Sequence, residues 1–321
     1  MQIWTFLKKP KLYENQESWY TDSMLIEDLL KEQKDFSDAE KNIADYFLKE
    51  RENIRKQGIR AIAKKIYVAP SSIVRFCQKI GFEGLNSFKE RYLEELNYNA
   101  RYFHEIDPNR PFEKNDGEVE ISGKIAGLYS ETVMDTLSLL EKDTLQKAVS
   151  ILDRETVYII TLSAQRGISE NFKEKMMKIE RRVIILNQTH DISYEIEHAS
   201  ADKCAFLFLS YTGESEHVVT YAAKAMKAGF PCVAITSYGL NRLSDLIPCS
   251  IHVSSKEKLI SNLGNFSFAL SSMYILDILY ANIFNLDYEK NRKRKTESSR
   301  KESEPAVVSR GRKSSNPELN K

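Results

Sequence analysis

Glycine, proline and cysteine are scarce in this sequence, and each shortage excludes a class of protein. Glycine and proline provide only 12 and 8 of the 321 residues, which rules out collagen-like and low-complexity chains. The four cysteines contain no CxxC pair, so neither a disulfide framework nor a zinc site is predicted. The sequence also lacks a GxxxxGK(S/T) loop and an HExxH motif. We therefore expect no metal ion and no cofactor.

Long uninterrupted hydrophobic runs are scarce as well. The most apolar stretch, residues 266–284, carries Asp277 near its middle together with several serines, a composition typical of a helix buried against protein. At the N-terminus, Lys8 and Lys9 interrupt the apolar residues too early for a signal peptide. Hydrophobic residues still make up 42% of the chain, which is enough for a folded core. These features predict a cytoplasmic globular protein with no membrane partner.

Charge is distributed unevenly along the chain. Residues 290–321 carry a net charge of +7, and the preceding residues are acidic overall. Within that acidic part, residues 55–80 contain seven basic side chains and no acidic one. Phosphate contacts require lysine and arginine concentrated on one face, so this segment is a candidate surface for a polyanion. A solvated helix face is the alternative interpretation.

The first part of the chain has the apolar spacing of helices. Between residues 24 and 98, apolar side chains recur every three to four positions without strand-like alternation. Ser37 and Glu40 form a predicted capping box at the start of one helix. Gly58 separates that helix from the next, and Pro70 fits the first position of another helix. Residues 24–98 are therefore predicted to form an all-α helix-turn-helix domain.

The second part consists of short apolar runs separated by helical stretches. Over residues 121–288 this alternation predicts a parallel sheet covered on both faces, which is a doubly wound α/β domain. Residues 99–120 contain prolines and many charges and are predicted to be a linker. Residues 289–321 have almost no large apolar side chain, so we expect a basic tail that does not fold. Residues 1–23 form an extension, for which Met24 is an alternative start of translation.

The helix-turn-helix pattern assigns roles to two helices. In such motifs the second helix enters the major groove, while the first braces the DNA backbone. Residues 59–66 are the predicted brace and residues 70–80 the predicted reader. On the reader helix, Ile73, Val74 and Cys77 are expected to face the core. The side chains expected to face double-stranded DNA are Arg60, Lys64, Ser71, Ser72, Arg75 and Lys79.

The same region contains the sequences AEKNIADYF and APSSIVRFCQKIGFEG and the pair Phe88-Lys89. Through these segments it resembles the N-terminal domain of the RpiR/MurR family of bacterial transcription regulators. The sequence departs from the family at Ala69, where many members have a serine or threonine that caps the reader helix. That family joins its DNA-binding domain to a sugar isomerase (SIS) domain, in agreement with the α/β pattern of the second part.

The most specific SIS resemblance is the sequence SYTGES at residues 210–215, the SYTGES turn. It fits the SIS pattern of Ser, any residue, Ser or Thr, Gly, any residue, Ser or Thr. A strand that turns into a helix start offers free backbone N–H groups and a positive dipole end to a phosphate. The resemblance implies that Ser210, Thr212, Gly213 and Ser215 bind the phosphate of a sugar.

Two other SIS segments depart from the family pattern. After the first strand, members usually have Gly, any residue, Gly, any residue, Ser, whereas this chain has TLSAQ at residues 161–165. Ser163 and Gln165 are the polar side chains left there for contacts with a phosphosugar. The sequence NRL at residues 241–243 replaces the usual Ser-Pro-Leu.

Three functions stay open at this point. The first is a non-enzymatic, DNA-binding transcriptional regulator that senses a phosphosugar, controls carbohydrate metabolism genes and acts as a homodimer or homotetramer. The second is a phosphosugar isomerase, although His217 after the SYTGES turn fits an exposed helix-start histidine better than an acid or base. The third is a degenerate SIS dimer that binds DNA without a ligand. The basic reader segment favours regulation, and the altered first turn disfavours the isomerase.

Overall fold

The computed structural model describes residues 25–33, 35–101, 106–162, 165–254, 256–258 and 261–303; the expected extension at residues 1–23 lies outside them. In the described residues, the helical region contains a 3-10 helix (Arg51–Lys56) and the helices α1 (Ile26–Glu32), α2 (Asp38–Glu50), α3 (Ile59–Lys65), α4 (Pro70–Lys79) and α5 (Leu85–Arg101). The α/β region contains strands β1 (Thr156–Thr161), β2 (Arg182–Leu186), β3 (Cys204–Leu209), β4 (Cys232–Ser237) and β5 (Ser250–Val253). Its helices are α6 (Glu118–Leu139), α7 (Lys142–Leu152), α8 (Arg166–Met177), α9 (Thr189–His198), α10 (Glu216–Lys227), α11 (Arg242–Leu246), α12 (Phe266–Asn285) and α13 (Tyr288–Ser303).

Aromatic side chains occupy the centre of the helical domain. The Phe88 ring lies 4.5 Å from the ring of Phe47 and 5.4 Å from that of Tyr92, measured between centroids. All three side chains are buried. Such pairs contribute about 0.5–1.5 kcal/mol each beyond the area they bury. The cluster therefore holds α2 against α5 and supports the predicted all-α domain.

A buried carboxylate joins the two ends of the helical domain. Glu95 on α5 accepts hydrogen bonds from the backbone N–H groups of Ile26 at 2.7 Å and Glu27 at 2.8 Å. These are the first two amides of α1, which have no partner inside their own helix. Burial raises the pKa of Glu95 to about 7, although both hydrogen bonds act in the opposite direction. The carboxylate thus caps a helix distant in sequence.

The predicted doubly wound α/β domain is confirmed. Its five strands are all parallel and lie in the order β2-β1-β3-β4-β5. Two clusters of buried side chains cover the two faces of this sheet. The chain moves from β1 to β2 on one side and then to β3 on the other, so the strand order reverses between β1 and β3. In open parallel sheets, ligands bind beyond the carboxyl ends of the strands at this point.

The apolar helix α12 packs against α6, α7 and α8. Among the described residues it is the one helix long and apolar enough to cross a membrane. Its contact with α6 is partly polar, since Thr132 Oγ1 lies 3.2 Å from Ser267 Oγ and Thr136 Oγ1 lies 3.0 Å from Ser271 Oγ. Part of the surface of α12 thus packs against other helices of the chain.

The expectation of an unfolded tail over residues 289–321 is wrong for residues 289–303, which belong to α13. Asn291 is buried, and its side-chain amide donates to the Phe284 carbonyl at 3.0 Å. The Arg294 guanidinium lies 2.7 Å from the Glu180 carboxylate. Polar contacts attach this helix to the rest of the chain. A prediction based on the number of apolar residues therefore missed it. The two flanking helices also shorten the predicted linker, because α5 ends at residue 101 and α6 begins at residue 118.

Candidate DNA-binding surface and effector site

The brace and reader helices expose most of the predicted DNA-facing side chains. Arg60 and Lys64 on α3 and Ser71 and Arg75 on α4 are exposed, and Ser72 is half-buried. Pro70 occupies the first position of α4, as predicted, and Ala69 supplies no side-chain cap. The start of the reader helix is therefore free of a capping side chain and is flanked by two hydroxyl groups.

The opposite side of α4 faces the helical core. Ile73, Phe76 and Cys77 are almost completely buried. Val74, which was expected in the core, is half-buried instead, and Phe76 occupies that place. Phe76 makes an edge-on contact with Phe36, with ring centroids 5.1 Å apart. The core side of α4 is thus rotated slightly from the one that the sequence indicated.

Lys79 does not join the predicted DNA-facing side chains. Its ammonium lies 2.9 Å from the Glu40 carboxylate and donates to the Asp35 carbonyl at 2.7 Å. The same Glu40 accepts the Ser37 backbone N–H at 2.7 Å, so the predicted capping box is confirmed. Burial acts to raise the pKa of Glu40, but the hydrogen bonds from Lys79 and Ser37 outweigh it and lower this pKa. Lys79 therefore connects the end of α4 to the start of α2.

Sequence reasoning missed Tyr67, which lies in the turn between α3 and α4. Its side chain is 95% exposed, and its backbone φ of 56° lies in the left-handed region. The turn closes α3, since Val68 N donates to the Ala63 carbonyl at 3.1 Å. Glycine is the usual residue at such a position because it has no Cβ to clash. The sequence did contain a sign of this residue, because an aromatic side chain in a short turn between two predicted helices is a candidate for an exposed contact.

The SYTGES turn lies between the end of β3 and the start of α10. Ser210 and Thr212 are buried, and Ser215 caps α10 by accepting the Val218 backbone N–H at 3.5 Å. Gly213 has a φ of 66°, and a Cβ added there would lie 2.0 Å from Asn241 Oδ1. Glycine is thus required by both the backbone angle and the space. The structure brings all four predicted SYTGES residues to one strand-to-helix turn.

The loop between β4 and α11 contacts this turn, and we call residues 237–242, which include one flanking residue on each side, the connecting loop. Ser237 Oγ donates to the Tyr211 carbonyl at 2.7 Å. The Glu214 carboxylate accepts the Arg242 backbone N–H at 2.8 Å. Burial raises the pKa of Glu214 to about 7, against the lowering effect of Arg242. Sequence reasoning missed Glu214, because its role depends on a loop 28 residues away.

Two family models match this chain. The helix-turn-helix domain of the rpiR family matches residues 24–98, and the SIS domain matches residues 150–281. The chain belongs to the RpiR family of transcriptional regulators. Its helix-turn-helix domain and its SIS domain are the two units described above.

Relatives of this RpiR-family regulator match it over most of their length at low sequence identity. It is 23% identical over 253 residues to the HTH-type transcriptional regulator YbbH of Bacillus subtilis, covering 78% of this chain and 87% of YbbH. It is 24% identical to YfhH of Escherichia coli, covering 78% and 88% of the two chains. Among solved structures, the Vibrio vulnificus NanR protein complexed with ManNAc-6P matches with a TM-score of 0.55 and 19% identity, covering 86% of this chain and 97% of NanR.

The first SIS turn of the regulator is only partly described. Ser163 lies outside the described residues, so its predicted role stays a prediction. Gln165 is buried beside the end of β1, and its amide oxygen has no hydrogen-bond partner among the described residues. His217 is half-buried on α10 and contacts the Tyr221 ring. Within the described residues, no group of three His, Cys, Asp or Glu side chains is placed to hold a metal ion.

Proposed function

We propose that this regulator binds an operator through α3 and α4, senses a phosphosugar at the SYTGES turn, and controls carbohydrate metabolism genes without catalysing a reaction. The observation that carries the proposal is the position of this turn at the reversal of strand order. It joins β3 to α10 next to the end of β1. The site combines a helix N-terminus, a close-approach glycine and hydroxyl side chains, which together suit a phosphate.

Three hydroxyl side chains, those of Ser210, Thr212 and Ser215, accompany the backbone amides of this turn. Hydrogen bonds to a charged phosphate contribute about 1.5–3 kcal/mol each. Gln165 and Ser163 are the proposed contacts to the sugar. The NanR structure supports this assignment, since that protein has the same fold and its complex contains a sugar phosphate.

The effector experiment measures binding of hexose and hexosamine 6-phosphates by calorimetry. Removal of one hydroxyl in Ser210→Ala should raise the dissociation constant about tenfold or more. Ser244→Ala on α11, whose hydroxyl donates to Asn241 O at 3.0 Å, is the matched control and should bind normally. If no member of the panel binds the unaltered protein, the proposal fails and the ligand-independent DNA-binding dimer replaces it.

The DNA experiment compares an operator, selected from a random duplex library with the full chain, against random DNA. Arg75 lies on the exposed side of the reader helix, where an arginine recognises a guanine edge. Arg75→Ala should weaken operator binding by about 1–3 kcal/mol and leave random DNA nearly unaffected. Lys64→Ala should weaken both by similar factors, because a phosphate contact carries no sequence information. Equal losses on both DNAs for Arg75→Ala would contradict the assignment.

We further propose that the regulator is a cytoplasmic homodimer or homotetramer, with α12 in the interface. Only 44% of the most apolar part of α12 is buried within the chain, and the side chain of Met273 on this helix is 42% exposed. Two copies present two reader helices to one operator. Sedimentation should show a dimer or larger at micromolar concentration, and a monomer would contradict the proposal.

The second candidate function is a phosphosugar isomerase, and Glu214 is the observation in its favour. A half-buried carboxylate with a pKa of about 7 is suited to proton transfer near neutral pH. In that case the protein would interconvert aldose and ketose phosphates, and Glu214→Gln would abolish the conversion. The carboxylate is already used to hold Arg242 N, which makes regulation the better-supported function.

A further inference from the structure

The connecting loop contacts both the SYTGES turn and the helical domain. We propose that it transmits the occupancy of the SYTGES turn to the DNA-binding domain, with Leu240 as the point of contact. The identity of the signal, a phosphosugar, rests on the function proposed above. The mechanical link depends only on contacts between residues of this chain.

At one end, the loop and the turn are packed without a gap. The Gly213 Cα lies directly against the Asn241 side chain, since an added Cβ would be 2.0 Å from Oδ1 and 2.4 Å from Cγ. The Gly213 carbonyl also accepts the Leu243 backbone N–H at 3.0 Å. Asn241 is itself fixed, because its Oδ1 accepts the Ser244 backbone N–H at 2.9 Å. Closely packed groups transmit a displacement instead of absorbing it.

A phosphate at the turn would disturb this packing through the backbone amides it binds. The Glu214 N–H donates to Thr212 Oγ1 at 3.1 Å, and the Gly213 N–H donates to the Ser210 carbonyl at 3.2 Å. A phosphate that takes either N–H must replace one of these bonds. The peptide to which that N–H belongs, between Gly213 and Glu214 or between Thr212 and Gly213, would then turn toward the phosphate. Asn241 and the rest of the connecting loop must follow it.

At the other end, the loop reaches the helical domain. Leu240 is partly buried and packs against the core cluster of that domain. Arg91 on α5 lies close enough to Asp245 and His252 of the α/β domain for their charges to interact. Leu240 follows Gly239, whose φ is 128°. The contact with the DNA-binding domain is thus one residue from Asn241, the residue in contact with the SYTGES turn.

A double-mutant cycle tests this link without any ligand. Gly213→Ala forces Asn241 to move, and Leu240→Ala removes the proposed contact. Both are made in the full chain, and affinity is measured for an operator selected from a random library with the unaltered protein. Gly213→Ala should change the dissociation constant for DNA at least fivefold, at the lower end of typical allosteric couplings. In the Leu240→Ala background, the same substitution should change it less than twofold.

Gly229→Ala is the matched control for backbone strain. Gly229 also has a positive φ, 84°, but no atom lies within 4 Å of an added Cβ. This variant should change DNA affinity less than twofold. If Gly213→Ala fails to fold, Asn241→Ala replaces it in the cycle, because it breaks the same contact without a clash. An equal effect in both Leu240 backgrounds, or no effect of the folded variant on DNA affinity, overturns the inference.

A ligand arm separates this inference from the proposed function. Hexose and hexosamine 6-phosphates are added, and their effect on DNA affinity is compared between the unaltered protein and Leu240→Ala. In the unaltered protein, the sugar phosphate should change the affinity for DNA, and in Leu240→Ala this change should be less than twofold. Calorimetry should show the same affinity for the sugar phosphate in both proteins. An equal shift in both overturns the inference and leaves the proposed function standing. If no sugar phosphate binds but the cycle shows coupling, the proposed function fails and the link is retained.

Discussion

Replacing Tyr67 with glycine should stabilise the helical domain and weaken DNA binding at the same time. The residue closes α3 with a φ of 56°, and its side chain is 95% exposed. A left-handed conformation costs a residue with a Cβ about 1–2 kcal/mol, whereas glycine adopts it freely. The greater freedom of glycine in the unfolded chain offsets about 0.5–1 kcal/mol of that gain. Because little side-chain packing is lost, the free energy of unfolding should rise by about 0.5–1 kcal/mol.

The DNA-binding part of this prediction follows from the position of the turn. Tyr67 lies three residues before Pro70, the first residue of the reader helix. A tyrosine hydroxyl there can donate to a DNA phosphate, and a hydrogen bond to a charged group contributes about 1.5–3 kcal/mol. Tyr67→Gly should therefore raise the dissociation constant for operator and random DNA alike by about tenfold or more.

Two further variants separate the ring from the backbone. Tyr67→Ala keeps the strained φ and removes the ring, so it should weaken DNA binding equally without a gain in stability. Tyr67→Phe removes only the hydroxyl and should reproduce most of the loss in affinity. Stability is measured by hydrogen exchange of the α3 amides, and affinity by fluorescence anisotropy of a labelled duplex. If Tyr67→Gly binds DNA as tightly as the unaltered protein, the Tyr67 side chain has no role in DNA binding.

Three other predictions concern residues whose roles the structure revealed. Lys79→Ala should lower the free energy of unfolding by about 1 kcal/mol, since it breaks the pair with Glu40, and should leave the operator-to-random affinity ratio unchanged in a binding assay. For Glu95, burial raises the pKa to about 7 in the folded state, above its ordinary value of about 4.3, so the folded state binds the proton more tightly. The stability that Glu95 contributes is therefore complete below a pH of about 4.3, its ordinary pKa, and is lost as the pH rises to about 7. Urea unfolding should show that the free energy of unfolding falls by on the order of 3 kcal/mol over this pH range. In Glu95→Gln, most of this pH dependence should disappear. Truncation after Tyr288 should lower the melting temperature by a few degrees, because it removes the contacts of Asn291 and Arg294; an unchanged temperature would mean that α13 adds no stability.

The local sequence was sufficient to predict the elements to which we assign the proposed function. The apolar spacing around Ile73 and Cys77 predicts the reader helix, and Pro70 predicts where it begins. Continuous apolar strands predict the parallel sheet, and the central strands β3 and β4 are indeed buried on both faces. The hydroxyl and glycine pattern of the SYTGES turn then locates the candidate effector site at a strand end.

The parts that the sequence could not predict depend on contacts between distant residues. Lys79 has the spacing of a DNA-facing side chain, but its partner Glu40 lies 39 residues earlier in the chain. Asn241 looks like a relaxed match to the family pattern, yet its side chain occupies the space beside Gly213. The helix α13 has almost no apolar residues and is attached through Asn291 and Arg294. A periodicity of apolar residues contains no information about such pairs.

The cap that Glu95 provides for α1 has a consequence for the order in which the chain folds. With seven residues, α1 is far shorter than the roughly 12–15 residues that an isolated helix needs for marginal stability in water. Its first amides find their acceptor 68 and 69 residues later, so this contact closes a long loop. During synthesis, α1 leaves the ribosome before the other described helices, but it cannot be capped until α5 has emerged and packed. The described segment that is made first therefore becomes ordered late, and stalled chains that end before residue 95 have an uncapped, unprotected N-terminal helix.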